Sequence, residues 1–459
     1  MKIFHCLRSF FPDNSAGTEI YVAALCKALQ NDGIEVAVVK PSFDTSTEEY
    51  IYNGIRVLPY LETSKATAEL QVGVRAPGGL VNFIKLLQLE KPDAVHFHEV
   101  AGSNGITIYH VLAANELDLP IFTTFHLSGN ICMRNTFLYK NKVACNGIID
   151  EYKCAVCMLQ KKGFAMGVPE AISYLGKKFK KHVSSGGIGK LFNYPLYVKQ
   201  HRSRLQVVNT SSNKMFVLSE WYKDLLVLNG LDKNKIIVLP AAIPADKPLD
   251  EIKHHKPCPS GKVRLVYAGR ISHIKGLHVL LAAVANLKKQ NWELDIYGPV
   301  FETRYNESCR KISENNSSIN WMGIIPHDNI IPTLSKYDAM VFPSIVQETM
   351  GLIMLEAFAA GIPVIGSSIW SVNEKIKDGV NGLIFKTGNS TSLRATLEKV
   401  LNDPPMLVRL CENVKAPIYM SEVAKVTSLA YTEVLNFTVE NTLDLSKMGK
   451  ELKDKSKHS

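Results

Sequence analysis

Short apolar runs recur along this chain with helical stretches between them, and that alternation limits the fold more than any other feature. In the first half they lie near 2–7, 35–39, 94–97, 121–125 and 216–218. In the second half they lie near 236–239, 264–268, 293–297, 339–342 and 364–365. Runs this short and mostly apolar suit strands covered on both faces. Strand–helix alternation makes those strands parallel, with helices on both sides of each sheet. The expected class is α/β, doubly wound. At 459 residues the chain is long enough for two such domains, each with its own core. The expected division is 1–235, 236–420, a helix within 421–440, and a charged tail over 441–459. The linker candidate is 240–262, rich in Pro, Lys and Asp. The last helix, about 424–437, is expected to put Leu429, Val434 and Leu435 on one face.

Two glutamates in the second half carry the densest chemical signal. Glu348 and Glu356 stand eight positions apart in Pro343-Ser344-Ile345-Val346-Gln347-Glu348-Thr349-Met350-Gly351-Leu352-Ile353-Met354-Leu355-Glu356. The stretch reads as a strand end, a turn over 349–351, and a helix over 352–360 that Gly361 and Pro363 stop. Glu348 then sits just before a helix N-terminus, with Glu356 about 12 Å further along the axis at ~1.5 Å per residue. The amides of Met350, Gly351 and Leu352 have no helical partner there, and such a terminus favours a phosphate. Carboxylates on either side of a phosphate suit sugar hydroxyls, and together they describe a nucleotide diphospho-sugar. Two surface glutamates on an amphipathic helix would give the same spacing. Upstream, 265–268 is a buried strand that runs into Gly269-Arg270, and 271–276 turns into a helix from Leu277. Arg270 and Lys275 thus emerge at the C-terminal edge of a strand, where open α/β sheets bind ligands. Two fixed cations there suit a diphosphate and its departing charge.

Gly269-Arg270 with Lys275-Gly276, followed by Glu348 and Glu356 with seven residues between, resembles the retaining glycosyltransferases of family 4. The first half fits as well, with Phe11-Pro12, then Gly17-Thr18-Glu19 opening a helix, then Gly33-Ile34-Glu35-Val36. The chain departs from the family pattern at four places. Ala16 precedes Gly17 where a second glycine is common, and His126 is followed by Leu127 rather than Asp. Pro240-Ala241-Ala242 replaces a Pro-Asn-Gly turn, and Met350 stands where an aromatic is frequent. The resemblance implies the GT-B fold, two Rossmann-like domains with a cleft between them. The domain over 1–235 would be the acceptor side, the one over 236–420 the donor side, and the last helix would cross back to the first domain.

It also implies front-face substitution with retention, in which the departing phosphate takes the acceptor proton. Arg270 and Lys275 would stabilise the diphosphate, and Glu348 would hold hydroxyls of the transferred sugar. Glu356 would bind the ribose hydroxyls, while Gly269, Met350, Gly351 and Leu352 would make backbone contacts to the donor. Gly17 would let the first domain's backbone come close, and His126 would touch the transferred sugar. Base recognition would use backbone near Gly298 and Met322-Gly323. No catalytic metal is implied. The acceptor would be a hydroxyl of a glycan or lipid-linked molecule, in cell-surface polysaccharide synthesis. The rival readings are a GT-B phosphorylase or sugar-phosphate synthase, and a glycan-binding or scaffold protein without turnover. His96 and His98 end another strand, beside Glu99, and read as cleft lining without an assigned role.

Four of the nine cysteines, Cys132, Cys145, Cys154 and Cys157, fall within 26 residues. Four thiolates can hold one structural zinc, and Cys154-Ala155-Val156-Cys157 has a suitable bite. Loop thiols or a Cys154–Cys157 disulfide would also fit. From 161 to 204 there are ten Lys or Arg and one acid, Glu170, with apolar residues interleaved. Such a segment suits an anionic membrane surface, or is a solvated basic helix pair. No recognition motif points to nucleic acid. Ser184-Ser185-Gly186-Gly187-Ile188-Gly189-Lys190 lacks the glycine spacing of a P-loop and reads as a flexible loop. Arg8, Pro12 and Asp13 interrupt the first apolar run too early for a secretory signal. No run of about 18 apolar residues is present to span a bilayer. The expected location is the cytoplasm, with peripheral attachment to the inner face of the plasma membrane.

Overall fold

A computed structural model describes residues 1–14, 16–44, 47–64, 67, 70, 73–98, 100, 106–140, 143–165, 167–178, 187–239, 242–243, 262–287 and 291–436. The described residues fall into two compact units. One comprises Met1–Asn135, Gly147–Pro240 and the chain from Met420 onward; the other comprises Thr136–Asn146 and Ala241–Tyr419. Most of the expected linker, and all of the expected tail, lie outside the described residues.

The first unit is built on an eight-stranded sheet. Its order from one edge is Ile236–Val238, Lys214–Val217, Ile121–Phe125, Ala94–Phe97, Lys2–Cys6, Glu35–Ser42, Ile55–Leu61, Tyr50–Tyr52. Every neighbouring pair is parallel except the last, which is antiparallel. The five residues of Ile121–Phe125 are all buried, as a central strand covered on both faces requires. The edge hairpin at Tyr50–Leu61 was not expected. Its outer strand, Tyr50–Tyr52, is only three residues long, and Arg56 and Pro59 interrupt the apolar run of Ile55–Leu61.

The strand expected to open the second domain also belongs here, since Ile236–Val238 pairs with Met215–Val217. The boundary therefore falls after it, near 240. A helix over 420–436 groups with this unit too. Its anchor is Tyr431, fully buried, whose hydroxyl lies 2.5 Å from His96 Nδ1. Leu429, expected on one face with Val434, is 71% exposed, whereas Val434 is buried. The segment read as a flexible loop at 184–190 becomes, from Gly187 to Asn193, a short 3-10 helix.

The second unit carries a six-stranded parallel sheet. Its order is Ile319–Gly323, Trp292–Tyr297, Val263–Ala268, Ala339–Phe342, Val364–Ser367, Gly382–Phe385. Helices Leu277–Val284 and Ser390–Asn402 cover one face. Leu277, Leu280, Leu281, Leu393 and Leu397 pack there against Leu265, Leu294 and Val341. Strand order reverses beside Val263–Ala268, where the chain leaves one half of the sheet for the other. That reversal opens a crevice at the C-terminal ends of the strands, the place where doubly wound sheets take ligands. Among the described residues no helix is long and apolar enough to cross a membrane.

Candidate functional site

The site in the second unit is assembled by close backbone approaches at the strand ends. Gly269 follows Val263–Ala268, and its carbonyl oxygen would lie 1.8 Å from a Cβ built on Gly298. Only glycine at 298 lets these two loops meet. The amide of Gly298 donates to Gly323 O at 2.7 Å, and Gly269 N donates to Tyr297 O at 3.1 Å. Two of the backbone groups expected to read a base, Gly298 N–H and Gly323 C=O, thus satisfy each other.

A second approach occurs at Gly276. It has φ +71°, and a Cβ there would sit 1.9 Å from Pro343 O. The loop 269–276 is thereby pressed against the exit of Ala339–Phe342, and Ile345 N donates to Ile274 O at 3.0 Å. Lys275 is carried to Glu348. Its Nζ donates to Glu348 Oε2 at 2.8 Å, with 17% and 15% of the two side chains exposed. Glu348 Oε1 is buried and has no hydrogen-bond partner among the described residues. The cation fixes one carboxylate oxygen and leaves the other unmatched among the described residues.

Gly351 stands at the N-cap of helix Leu352–Ala359 with φ +68°, and no side chain caps that terminus. Met350 is buried beneath it, which gives a sulfur side chain where a polar tip would be costly. Leu352 is the first helical residue and half-buried. Glu356 lies one turn further in, 6% exposed, and burial pushes its carboxyl up to about 7. Gly361, φ +75°, ends the helix as its position in the sequence suggested.

Arg270 does not join the Lys275–Glu348 pair. It is exposed, its guanidinium lies 5.1 Å from the Phe301 ring centroid, and its carbonyl accepts from Tyr267 Oη at 3.0 Å. Sequence reasoning passed over Ser272, whose Oγ is buried in the same loop without a hydrogen-bond partner. A serine between two cations was the available signal.

In the first unit, Gly17 is the exposed first residue of helix Gly17–Asn31. His126 follows strand Ile121–Phe125 and is 6% exposed. Its ring packs edge-on against Tyr21 at 4.9 Å. Burial holds its imidazole down at about 3, so it is neutral at physiological pH. His96 and His98 are not cleft lining: both are fully buried.

The four cysteines proposed for zinc are divided between the two units. Cys132, Cys154 and Cys157 belong to the first unit, and Cys145 belongs to the second. The three in the first unit do not bring their sulfurs within 4.8 Å of one another, and no such group containing a cysteine exists among the described residues. Cys157 Sγ accepts from Arg134 Nη1 at 3.4 Å. The described cysteines carry thiols, so Cys154 and Cys157 are not joined.

Comparison with known proteins supplies the family. The model for glycosyl transferases group 1 matches residues 250–416, and that for Glycosyltransferase Family 4 matches residues 15–144. Together they cover more than half of the chain. The chain belongs to the family 4 glycosyltransferases, with the GT-B fold. Over 157 residues it is 30% identical to an uncharacterized glycosyltransferase of Methanocaldococcus jannaschii, covering 34% of this chain and 40% of that one. The chain spans 35% to 50% of the length of the curated relatives it matches. Among solved structures it is similar to the sucrose-phosphate synthase of Thermosynechococcus elongatus, at TM-score 0.63 and 16% identity, covering 95% and 99% of the two chains. It is also similar to Anabaena HepE in complex with UDP and glucose, at TM-score 0.61 and 13% identity, covering 94% and 99%. This family 4 chain shares the two-domain Rossmann-like architecture of both.

Proposed function

We propose that the protein is a retaining glycosyltransferase that moves a hexose from a nucleotide diphospho-sugar to a hydroxyl of a glycan or lipid-linked acceptor, in polysaccharide synthesis. The observation that carries this reading is Glu348: one oxygen held by Lys275 Nζ, the other buried and unmatched, beside an uncapped helix N-terminus. Sugar hydroxyls supply the missing donor, and the helix amides with Lys275 and Arg270 receive the diphosphate. Glu356, in the body of the same helix, receives ribose hydroxyls. A diphospho-nucleoside donor accords with the UDP bound in the Anabaena structure.

Transfer breaks the bond from the anomeric carbon to the β-phosphate oxygen and forms one to the acceptor oxygen on the same face. The acceptor proton passes to the departing phosphate. Lys275 and Arg270 stabilise the charge that grows there, which lowers the barrier because that charge is larger in the transition state. Glu348 orients the sugar. By the family resemblance, His126 and Gly17 would contact the transferred sugar and the acceptor.

The acceptor's setting is read from helix Val168–Lys178. It exposes Val168, Tyr174 and Leu175 together with Lys177 and Lys178. Apolar groups beside lysines suit an anionic membrane surface.

The test is a panel of nucleotide-sugars in a thermal-shift assay, followed by assay of nucleoside diphosphate release. One donor should raise the melting temperature by mass action and release its nucleoside diphosphate. Binding without turnover under any acceptor would favour a scaffold; no binding at all would defeat the reading.

A further inference from the structure

One stretch from the first half of the sequence, Thr136–Asn146, belongs to the second unit. It carries Cys145 and lies in the Cys-rich part of the chain, which the proposed chemistry leaves without a role. The stretch closes on itself. Cys145 N donates to Phe137 O at 2.7 Å, and Leu138–Tyr139 pairs antiparallel with Val143–Ala144. Its flanks are fastened in the first unit, where Asn135 N donates to Cys132 O at 2.7 Å and Gly147 O accepts from Asn229 Nδ2 at 2.9 Å.

Phe137 is fully buried and has φ +50°, a left-handed conformation that a bulky residue rarely adopts. Strain of that kind persists where surrounding contacts over-determine it. One such contact is aromatic. The Phe137 and Trp370 rings meet at 5.7 Å between centroids with 60° between their planes, an edge-to-face arrangement that the ring quadrupoles favour.

Trp370 is joined in turn to the loop that carries Glu348. Its amide donates to Gln347 Oε1 at 2.7 Å, and the Gln347 side chain is 9% exposed. Gln347 directly precedes Glu348. Residues 343–348 belong to no helix or strand, so cross-loop contacts decide where the carboxylate lies. Ser367 Oγ donates to Ser344 O at 2.5 Å at the start of the loop, and the Trp370–Gln347 bond holds its end. Trp370 is the first residue of helix Trp370–Lys375. A displaced ring displaces its own amide, and the Gln347 side chain with it.

We propose that Phe137 is a positioning residue for Glu348: braced on Trp370, it fixes the Gln347 side chain and so the loop that holds the carboxylate against Lys275. The effect on turnover rests on the glycosyltransferase reading of Glu348; the brace does not. Glu348 meets the sugar on that reading, so the brace serves the transferred sugar and not the nucleoside diphosphate.

Two measurements on the full chain test it. With a nucleotide-sugar that turns over, Phe137→Ala should lower kcat about tenfold, the scale of a small misplacement of a positioned group. Kd for the nucleoside diphosphate that it releases should stay unchanged. Should Phe137→Ala not fold, Phe137→Leu, which keeps an apolar filling without the ring, carries the test. Gln347→Ala should act alike, and the double variant should be no slower than the slower single one, because both act through one loop. Effects that multiply, an unchanged kcat, or a nucleoside diphosphate affinity that falls with kcat overturn the positioning role. Fluorine spectra of protein labelled with fluorinated tryptophan read the brace without turnover. The Trp370 signal, identified by its loss in Trp370→Phe, should move in Phe137→Leu and in Glu348→Gln. A Trp370 signal that ignores either change overturns the proposal. If no nucleotide-sugar turns over in the wild type, the glycosyltransferase reading fails while the spectra still decide the brace.

Discussion

Lys275 and Glu348 are separated by 73 positions in the sequence and joined by a 2.8 Å ion pair in the structure. The pair is mostly shielded from water, so its attraction is little screened. Its asymmetry matters for chemistry. Lys275 offsets the charge of Glu348, and on the proposed reading it would meet a phosphate when the donor arrives. Lys275→Ala and Glu348→Ala should each lower turnover by about a hundredfold, roughly 2.7 kcal/mol of transition-state stabilisation. Steady-state kinetics on folded variants measures this. Near-normal rates in either would remove the pair from the proposed machinery.

Gly276 holds that pair in place. Its positive φ and the 1.9 Å approach to Pro343 O leave no room for a Cβ. Gly276→Ala should lower stability by more than ~1 kcal/mol, because the native conformation is incompatible with the new side chain. Turnover should fall with it, since Lys275 is the preceding residue. Urea denaturation reads the first effect. An unchanged midpoint would mean that the loop and the Pro343 carbonyl are not in contact.

Much of this was legible beforehand because it depends on local pattern. Inner parallel strands such as Ala339–Phe342 announce themselves as unbroken apolar runs. The helix carrying Glu356 announces itself by spacing and by Gly361. What escaped depends on which strands become neighbours. Ile236–Val238 looked like the first strand of the second domain, yet its pairing with Lys214–Val217 is invisible in its composition. Likewise His5, His98 and His126 meet only because their strands are adjacent in the sheet. Arg270 was grouped with Lys275 as a second cation at the same strand edge, which says nothing of where its side chain turns in the free protein. Its side chain takes the Phe301 ring instead, a contact 31 positions away.

Tyr431 ties the helix over 420–436 to the first sheet through His96. Tyr431→Phe keeps the ring and removes the hydroxyl, leaving His96 Nδ1 buried without that partner. The loss should be about 1–3 kcal/mol, the cost of one unsatisfied buried polar group. Chemical denaturation should show a lower midpoint with an unchanged slope. No change would mean that the helix is held by its apolar contacts alone.

Lys177 and Lys178 close helix Val168–Lys178. Replacing both by Gln should weaken binding to vesicles of anionic lipid by roughly thirtyfold at low salt, at about 1 kcal/mol per cation near the surface. Hydrolysis of donor without acceptor should be unaffected. If the wild type does not bind such vesicles, the acceptor is presented in solution.

Glu356 gives the free protein a specific dependence on pH. Burial lifts its carboxyl from the ordinary 4.5 to about 7. The folded state therefore holds a proton that the unfolded state has released. The sign follows: this group's contribution is full below pH ~4.5, declines as pH rises, and is lost above pH ~7. Relative to Glu356→Gln, which stays neutral throughout, the wild type should lose about 3 kcal/mol across that window. Denaturation midpoints of both proteins, taken from acid to mildly alkaline pH without ligand, measure the difference. The ribose hydroxyls of a bound donor would compensate the ionised carboxylate, because each can donate to it. A saturating nucleotide should thus stabilise the wild type more at pH ~8 than at pH ~5, and the Gln variant equally at both. A variant whose pH profile runs parallel to the wild type would show that Glu356 is hydrated and titrates as an ordinary carboxylate.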